Sequence, residues 1–348
     1  ALGPAMAGRG CAARWAACGL SLQDEAAAAL LRYGPPVGAA AASRAAPAAV
    51  AGGAARGGGE CVACCVLYLH GFPDQSLDHR QELASHGALR GQLPRQLRAA
   101  VLEEVEGSAF CAFNFSEEGS VAGTPGSDGG CPFAAKTVSR EVADARAVIG
   151  YLREFVAPAP APIHVVGIST GAIIASLLRG CDEHMTVTAI AGLVDVVSGL
   201  RYDFDAEQLT AFDRDGCCWK EFWLPPGSPS NPPAGWGGHD DIALSGATEE
   251  ARWQKTALRL SARYREDFLG LDVAGAVRRG RSPLLVVHGD KDKSVPLASG
   301  EALFTAAAEP KELVVIRGGD HLLRSTKHLR RASTIAAILE LIRSTPAS

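Results

Sequence analysis

Gly167-Ile168-Ser169-Thr170-Gly171 follows the apolar run Ile163 to Ile168 and precedes the helix-like run Ala172 to Arg179. A strand, a forced turn and a helix in immediate succession set a serine hydroxyl on a sharp corner, where neighbouring side chains do not shield it. The five-residue pattern alone is weak in a chain with 39 glycines, so its weight comes from context and partners.

The partners lie downstream. The apolar run Leu284 to Val287 ends in His288-Gly289-Asp290-Lys291-Asp292, an acidic pair, and Leu313 to Ile316 ends in Gly318-Gly319-Asp320-His321. Each group sits just past a strand. Parallel sheets gather their chemistry outside the carboxyl ends of their strands, so serine, acid and histidine can converge at one edge of one sheet. A serine hydroxyl needs a base to take its proton, and His321 is the candidate. Either Asp290 or Asp292 can supply the carboxylate that orients it. A further strand-like run, Cys65 to Leu69, ends in His70-Gly71-Phe72, where glycine allows the backbone to turn toward the same edge.

Through His70-Gly71-Phe72, Gly167 to Gly171, His288 to Pro296 and Gly318 to His321, residues 62 to 344 resemble the α/β hydrolases, in the broad group of serine aminopeptidase-like and small carboxylic-ester hydrolases. The resemblance implies an α/β-hydrolase fold, a mostly parallel central sheet with helices on both faces and a cap insertion. It implies Ser169 as nucleophile and His321 as base. It favours Asp292 over Asp290 as the acid, because Asp292 precedes Lys293-Ser294-Val295-Pro296. It also implies an oxyanion hole from the backbone amides of Phe72 and Thr170. The mechanism calls for no cofactor. The expected partner is a small molecule, an acyl ester or thioester cleaved through an acyl-serine; amide cleavage, acyl transfer to another acceptor and ligand binding without turnover are the alternatives. An amide-cleaving variant needs a cap carboxylate for the substrate amine, with Asp205, Glu207 and Glu221 as candidates.

The alternation along the chain agrees with that fold. Val62 to Leu69, Ala109 to Phe115, Ile163 to Ile168, Val187 to Ala191, Leu284 to Val287 and Leu313 to Ile316 read as strands; Leu89 to Glu104, Val138 to Phe155 and Leu329 to Ile342 read as helices. Continuous apolar strands between amphipathic helices predict a parallel sheet covered on both faces. The core is expected at 60 to 197 and 281 to 348. Between them, 198 to 280 reads as a cap of helices and loops, rich in Trp219, Phe222, Trp223, Trp236 and Trp253. Trp219, Phe222 and Trp223 are candidate pocket residues, since cavities for small molecules are lined mainly by apolar and aromatic groups. Pro225 to Gly238 reads as an entrance or lid element.

Residues 1 to 59 are alanine- and glycine-rich, with five arginines against Asp24 and Glu25. Such a segment offers little to bury, and is expected to be a disordered or organelle-targeting extension. The strands that usually open this fold have only weak candidates there, near Gly19 to Leu22 and Leu30 to Tyr33. The expected location is cytoplasmic, or organellar if the extension directs import. A formal net charge of −4 gives no electrostatic footprint for nucleic acid. No apolar stretch reaches the length of a membrane span, so a soluble protein is expected. Ten cysteines read as reduced thiols. Cys61 and Cys64 have metal-like spacing, but on a strand they point to opposite faces. His239 with Asp240 and Asp241 reads as a solvated loop, so no metal is expected. His70 and His288, at strand ends, are expected to hold loop backbones.

Overall fold

The computed structural model of the chain describes residues 31–32, 48–53, 62–72, 93–113, 115, 132–224, 241–242, 253–323 and 329–345. Eight strands form one sheet in the order β1-β2-β4-β3-β5-β6-β10-β11. These are β1 Leu31–Arg32, β2 Ala48–Gly53, β3 Cys64–Leu69, β4 Ser108–Phe113, β5 Ile163–Ile168, β6 Met185–Ile190, β10 Leu284–Gly289 and β11 Lys311–Ile316. From β4 to β11 every pairing is parallel, whereas β2 runs antiparallel to β4 and to β1. The continuous apolar character of β3, β5, β6 and β10 has a physical cause: all their residues are buried.

Two apolar layers sandwich the sheet. On one face, helices α2 Val138–Phe155, α3 Thr170–Leu178 and α7 Val273–Arg279 cover Leu67, Val165, Val187 and Val286. On the other, α1 Leu93–Glu104 and α9 Leu329–Ser344 cover Val66, Val166, Ile190 and Val287. Helix α2 starts because Thr137 accepts a hydrogen bond from Arg140 N at 3.3 Å. It then lays Val138, Ala145, Val148, Ile149 and Leu152 on the sheet.

Two expectations change. The extension contributes strands: Leu31–Arg32 falls on the candidate near Leu30 to Tyr33, and Ala48–Gly53 is a full strand that a run of alanine and glycine does not announce. Its partner explains it, since Ala49 to Gly53 pair with Phe113 to Ala109 along β4. Gly19 to Leu22 lies outside the described residues. The insertion is also more than helices and loops. It holds α4 Val196–Asp203, α5 Ala206–Asp215 and α6 Ala262–Leu269, with an antiparallel sheet, β7 Cys217–Leu224, β8 Asp241–Ile242 and β9 Trp253–Ser261, in the order β7-β9-β8. Its aromatic residues favour extended backbone as much as they favour a pocket. The loop Pro225 to Gly238 lies outside the described residues. None of the helices described is long and apolar enough to cross a membrane.

His164 on β5 is 2 % exposed, with Nδ1 2.8 Å from Thr186 Oγ1 and no hydrogen bond at Nε2. Burial pushes its pKa down from 6.5 to about 4. The unfolded chain therefore takes up a proton that the native state refuses. The corresponding stability is complete above pH 6.5 and is lost as pH falls toward 4. That loss is about 3 kcal/mol. His164→Asn should flatten the pH dependence of the unfolding free energy across that interval in urea titrations; parallel curves for variant and parent would refute the assignment.

Candidate active site

Ser169 leaves β5 with φ 55° and ψ −121°, a conformation that L residues rarely adopt. Its backbone is held on both sides: Ser169 N–H donates to Ile190 O on β6 at 2.9 Å, and its carbonyl accepts Ala172 N–H at 2.9 Å in the first turn of α3. The corner is thus fixed by sheet and helix together, with the hydroxyl outward. Thr170, 3 % exposed, occupies the first position of α3, where an N–H has no intrahelical acceptor.

His321 Nε2 lies 3.0 Å from Ser169 Oγ, and its Nδ1 lies 2.8 Å from Asp292 Oδ2. Asp292 Oδ1 accepts the amides of Ser294 and Val295, both at 2.9 Å. Burial by itself would raise the Asp292 pKa, but the hydrogen bonds from His288 and His321, the His321 charge and the Val295 amide prevail and hold the carboxyl well below the usual range. A charged carboxylate can only accept, so the His321 proton sits on Nδ1 and Nε2 faces the serine as an acceptor.

Asp290 has a different place. Its Oδ1 accepts Gly318 N–H at 2.5 Å, its own amide donates to Ile316 O at 3.1 Å, and Lys291 N–H reaches Gly319 O at 2.9 Å. These bonds lace the loop after β10 to the loop after β11. The two backbones touch so closely that a Cβ on Gly289 would lie 2.3 Å from Gly319 O. Asp290 therefore fixes where His321 emerges, while Asp292 touches its ring. His288 Nε2–H donates to Val295 O at 2.9 Å and His70 Nδ1 bonds Gly71 O at 2.8 Å, so both histidines hold loop backbones.

Phe72 follows the turn after β3. Gly71 packs against the serine: a Cβ on it would lie 3.2 Å from Ser169 Cβ. The Phe72 ring turns toward the insertion, edge-on to Tyr264 at 5.3 Å and to Phe204 at 6.2 Å. The insertion contains a cavity of about 700 Å³ lined by Asp203, Phe204, Gln208, Trp219 and Lys220, among others, but not by Ser169 or His321. Trp219 is the one pocket candidate with a described side chain; those of Phe222 and Trp223 lie outside the described part, as does that of Glu221. Asp205 caps α5 by accepting Gln208 N–H at 2.8 Å, and Glu207 bonds Arg214 on the exposed face.

Lys220, Asp203 and the pair Lys136–Glu141 escape sequence reading. The Lys136–Glu141 pair is buried beside the turn, with side chains 0 % and 1 % exposed. Lys220 shares a face of β7 with buried Cys218, and a lysine at an inward position of an alternating strand is the signal that marks it. Burial raises the Asp203 carboxyl, against the charges of Lys220 and His321. Among the described residues no cluster of three or more His, Cys, Asp and Glu side chains is arranged for a metal ion. Cys64 and Cys65 are buried, with burial pushing the Cys64 thiol up to about 11, and Cys61 lies outside the described residues.

The model of the Alpha/beta hydrolase family matches residues 66–328, well over half of the chain. No match is found among curated proteins. Among solved structures the chain is similar to alpha/beta hydrolase domain-containing protein 10 from mouse, with 16 % identity over 92 % of this chain and 100 % of that one, at a TM-score of 0.54. It is also similar to Est1E from Butyrivibrio proteoclasticus, with 16 % identity over 87 % and 96 % of the two chains, at 0.52. A putative hydrolase from Agrobacterium vitis S4 shares 17 % identity over 88 % and 95 %, at 0.50. At such identities these likenesses speak for the fold.

Proposed function

Because the chain belongs to the Alpha/beta hydrolase family, we propose that it is a serine hydrolase that cleaves a carboxylic ester or thioester of a small to medium acyl group through an acyl-serine. The observation that carries this reading is the continuous contact from Ser169 Oγ through the His321 ring to Asp292, at 3.0 and 2.8 Å.

The chemistry follows from the proton positions. Ser169 Oγ attacks the acyl carbon as its proton passes to His321 Nε2, and the imidazolium is stabilised by the Asp292 carboxylate at Nδ1. The carbonyl π electrons move to oxygen, and the oxyanion accepts hydrogen bonds from the amides of Phe72 and Thr170. Collapse expels the alcohol or thiol, which takes the proton from Nε2. Water then gives a proton to His321 Nε2 as it attacks the acyl-serine, and collapse releases the acid as Ser169 Oγ takes that proton back from Nε2. Since every proton is handled by one ring, no metal or cofactor enters a step.

Two tests separate this from its rivals. A panel of p-nitrophenyl and CoA esters of graded acyl length should show turnover with an optimum at short or medium chains; cleavage of aminoacyl amides with inert esters would instead favour the amide alternative. The acids should separate as well. Asp292→Asn leaves His321 without its orienting acceptor and should lower kcat about ten-thousandfold. Asp290→Asn weakens only the lacing to Gly318 and should cost about tenfold or less. Equal losses in steady-state assays would remove Asp292 from its special role.

A further inference from the structure

Phe72 carries two loads: in the reading above its amide serves the oxyanion, and its ring stands where the core meets the insertion. Lys136 Nζ lies 5.3 Å from the ring centroid on the core side, and Lys220 Nζ lies 5.1 Å from it on the insertion side. The two cations are not equivalent. Lys136 is neutralised by Glu141. Lys220 has no ion pair among the described residues; its ammonium donates to the Asp203 carbonyl and lies 4.5 Å from the Phe204 ring.

The Lys220 ammonium is therefore held between two aromatic faces, one on the loop after β3 and one at the end of α4. Burial lowers its pKa, while the charge of Asp203 acts to keep its proton. Attraction between a cation and a ring is strongest where water is excluded. The backbone before Phe72 makes this attraction matter. Gly71 has no side chain to lock its dihedrals, and any Cβ there would press on Ser169. The peptide that carries the Phe72 amide is held at the Gly71 carbonyl by His70 Nδ1 at 2.8 Å, and the anchored ring is its second hold, on the side of the insertion.

We propose that Lys220 is a positioning residue for hydrolysis: by gripping the Phe72 ring against Phe204, it aims the Phe72 N–H at the developing oxyanion and makes that pocket depend on the insertion. This rests on the serine-hydrolase reading above. Lys220 touches no reacting atom. Its effect passes through the ring of Phe72 to the amide, so it acts on the transition state rather than on ground-state binding.

The test uses the full chain with Lys220→Met, which keeps the apolar stem, and Lys220→Arg, which restores a cation. Two phenyl esters are compared, a neutral butyrate and a hemisuccinate carrying a free carboxylate. Lys220→Met should lower kcat about tenfold on both, with KM nearly unchanged, since a small misplacement of one donor has that order of effect. Lys220→Arg should recover most of the loss. In the resting protein, hydrogen exchange of the Phe72 amide should be faster in Lys220→Met. Unchanged kcat and unchanged exchange would overturn the proposal. A loss confined to the hemisuccinate would overturn it too, by showing Lys220 to be an anchor for substrate carboxylates. If the parent cleaves no ester, the hydrolase reading fails, and amide exchange alone decides whether Lys220 holds Phe72. Should Lys220→Met not fold, Phe204→Leu removes the second ring and is read by the same kcat and exchange measurements, with the same outcomes for and against.

Discussion

Ser169→Ala should lower turnover of a short acyl ester about a millionfold, the scale seen when a triad nucleophile is removed, while the protein melts within a few degrees of its parent. Activity and stability separate because the hydroxyl and the backbone have different work. Oγ bonds His321 Nε2 at 3.0 Å at a partly exposed edge. The corner is held by Ser169 N–H to Ile190 O and by Ala172 N–H to Ser169 O, and alanine retains both. Alanine also keeps the Cβ, so the strain at φ 55° is unchanged. Initial rates with p-nitrophenyl acetate, labelling by a fluorophosphonate probe and a thermal melt check the three parts. Labelling of the variant at the parental rate would show that another nucleophile reacts, and would remove Ser169 from the mechanism.

The serine corner is readable because its signal is local: an apolar strand, two glycines and a helix occupy consecutive residues. The same holds for the His70-Gly71 turn and for the glycines before His321. The acid is less local. Asp290 and Asp292 differ by two positions in one turn, and only the bonds made by the loop, Gly318 to Asp290 and His321 to Asp292, distinguish them. Ala48–Gly53 has no apolar alternation and becomes a strand by pairing with β4. The contact of Lys220 with the Phe72 ring joins residues far apart in the sequence, so no window along the chain contains it. Strand alternation marks Lys220 as inward, but the rings it meets are set by tertiary packing. Propensity and period identify elements well, and contacts between distant segments need coordinates.

Gly171→Ala should strongly destabilise the protein, because the serine corner is built where three backbone segments touch. A Cβ on Gly171 would lie 2.2 Å from Leu69 O and 2.5 Å from His70 O, and one on Gly167 would lie 2.0 Å from Gly171 O. Neither neighbour is a side chain that can swing aside. Leu69 is paired with Gly167 in the parallel ladder of β3 and β5, and Gly171 lies in the first turn of the buried helix α3. Relief requires moving the helix off the sheet or breaking the ladder. Overpacking an ordinary core costs about 1 to 3 kcal/mol, and a clash of backbone with backbone should reach or exceed the upper end. Against a total stability of about 5 to 15 kcal/mol, that is a large fraction, and about 3 kcal/mol lowers the melting midpoint by roughly 5 °C in a chain of this size. Gly150→Ala is the control. Gly150 is an exposed position inside α2 where a Cβ meets nothing within 4 Å, so the change should stabilise by about 0.5 to 1 kcal/mol through helix propensity. Thermal unfolding of the two variants beside the parent gives the contrast. A Gly171→Ala protein that melts with its parent would mean that α3 does not press on the end of β3, and the close approach that turns Ser169 outward would have to be abandoned.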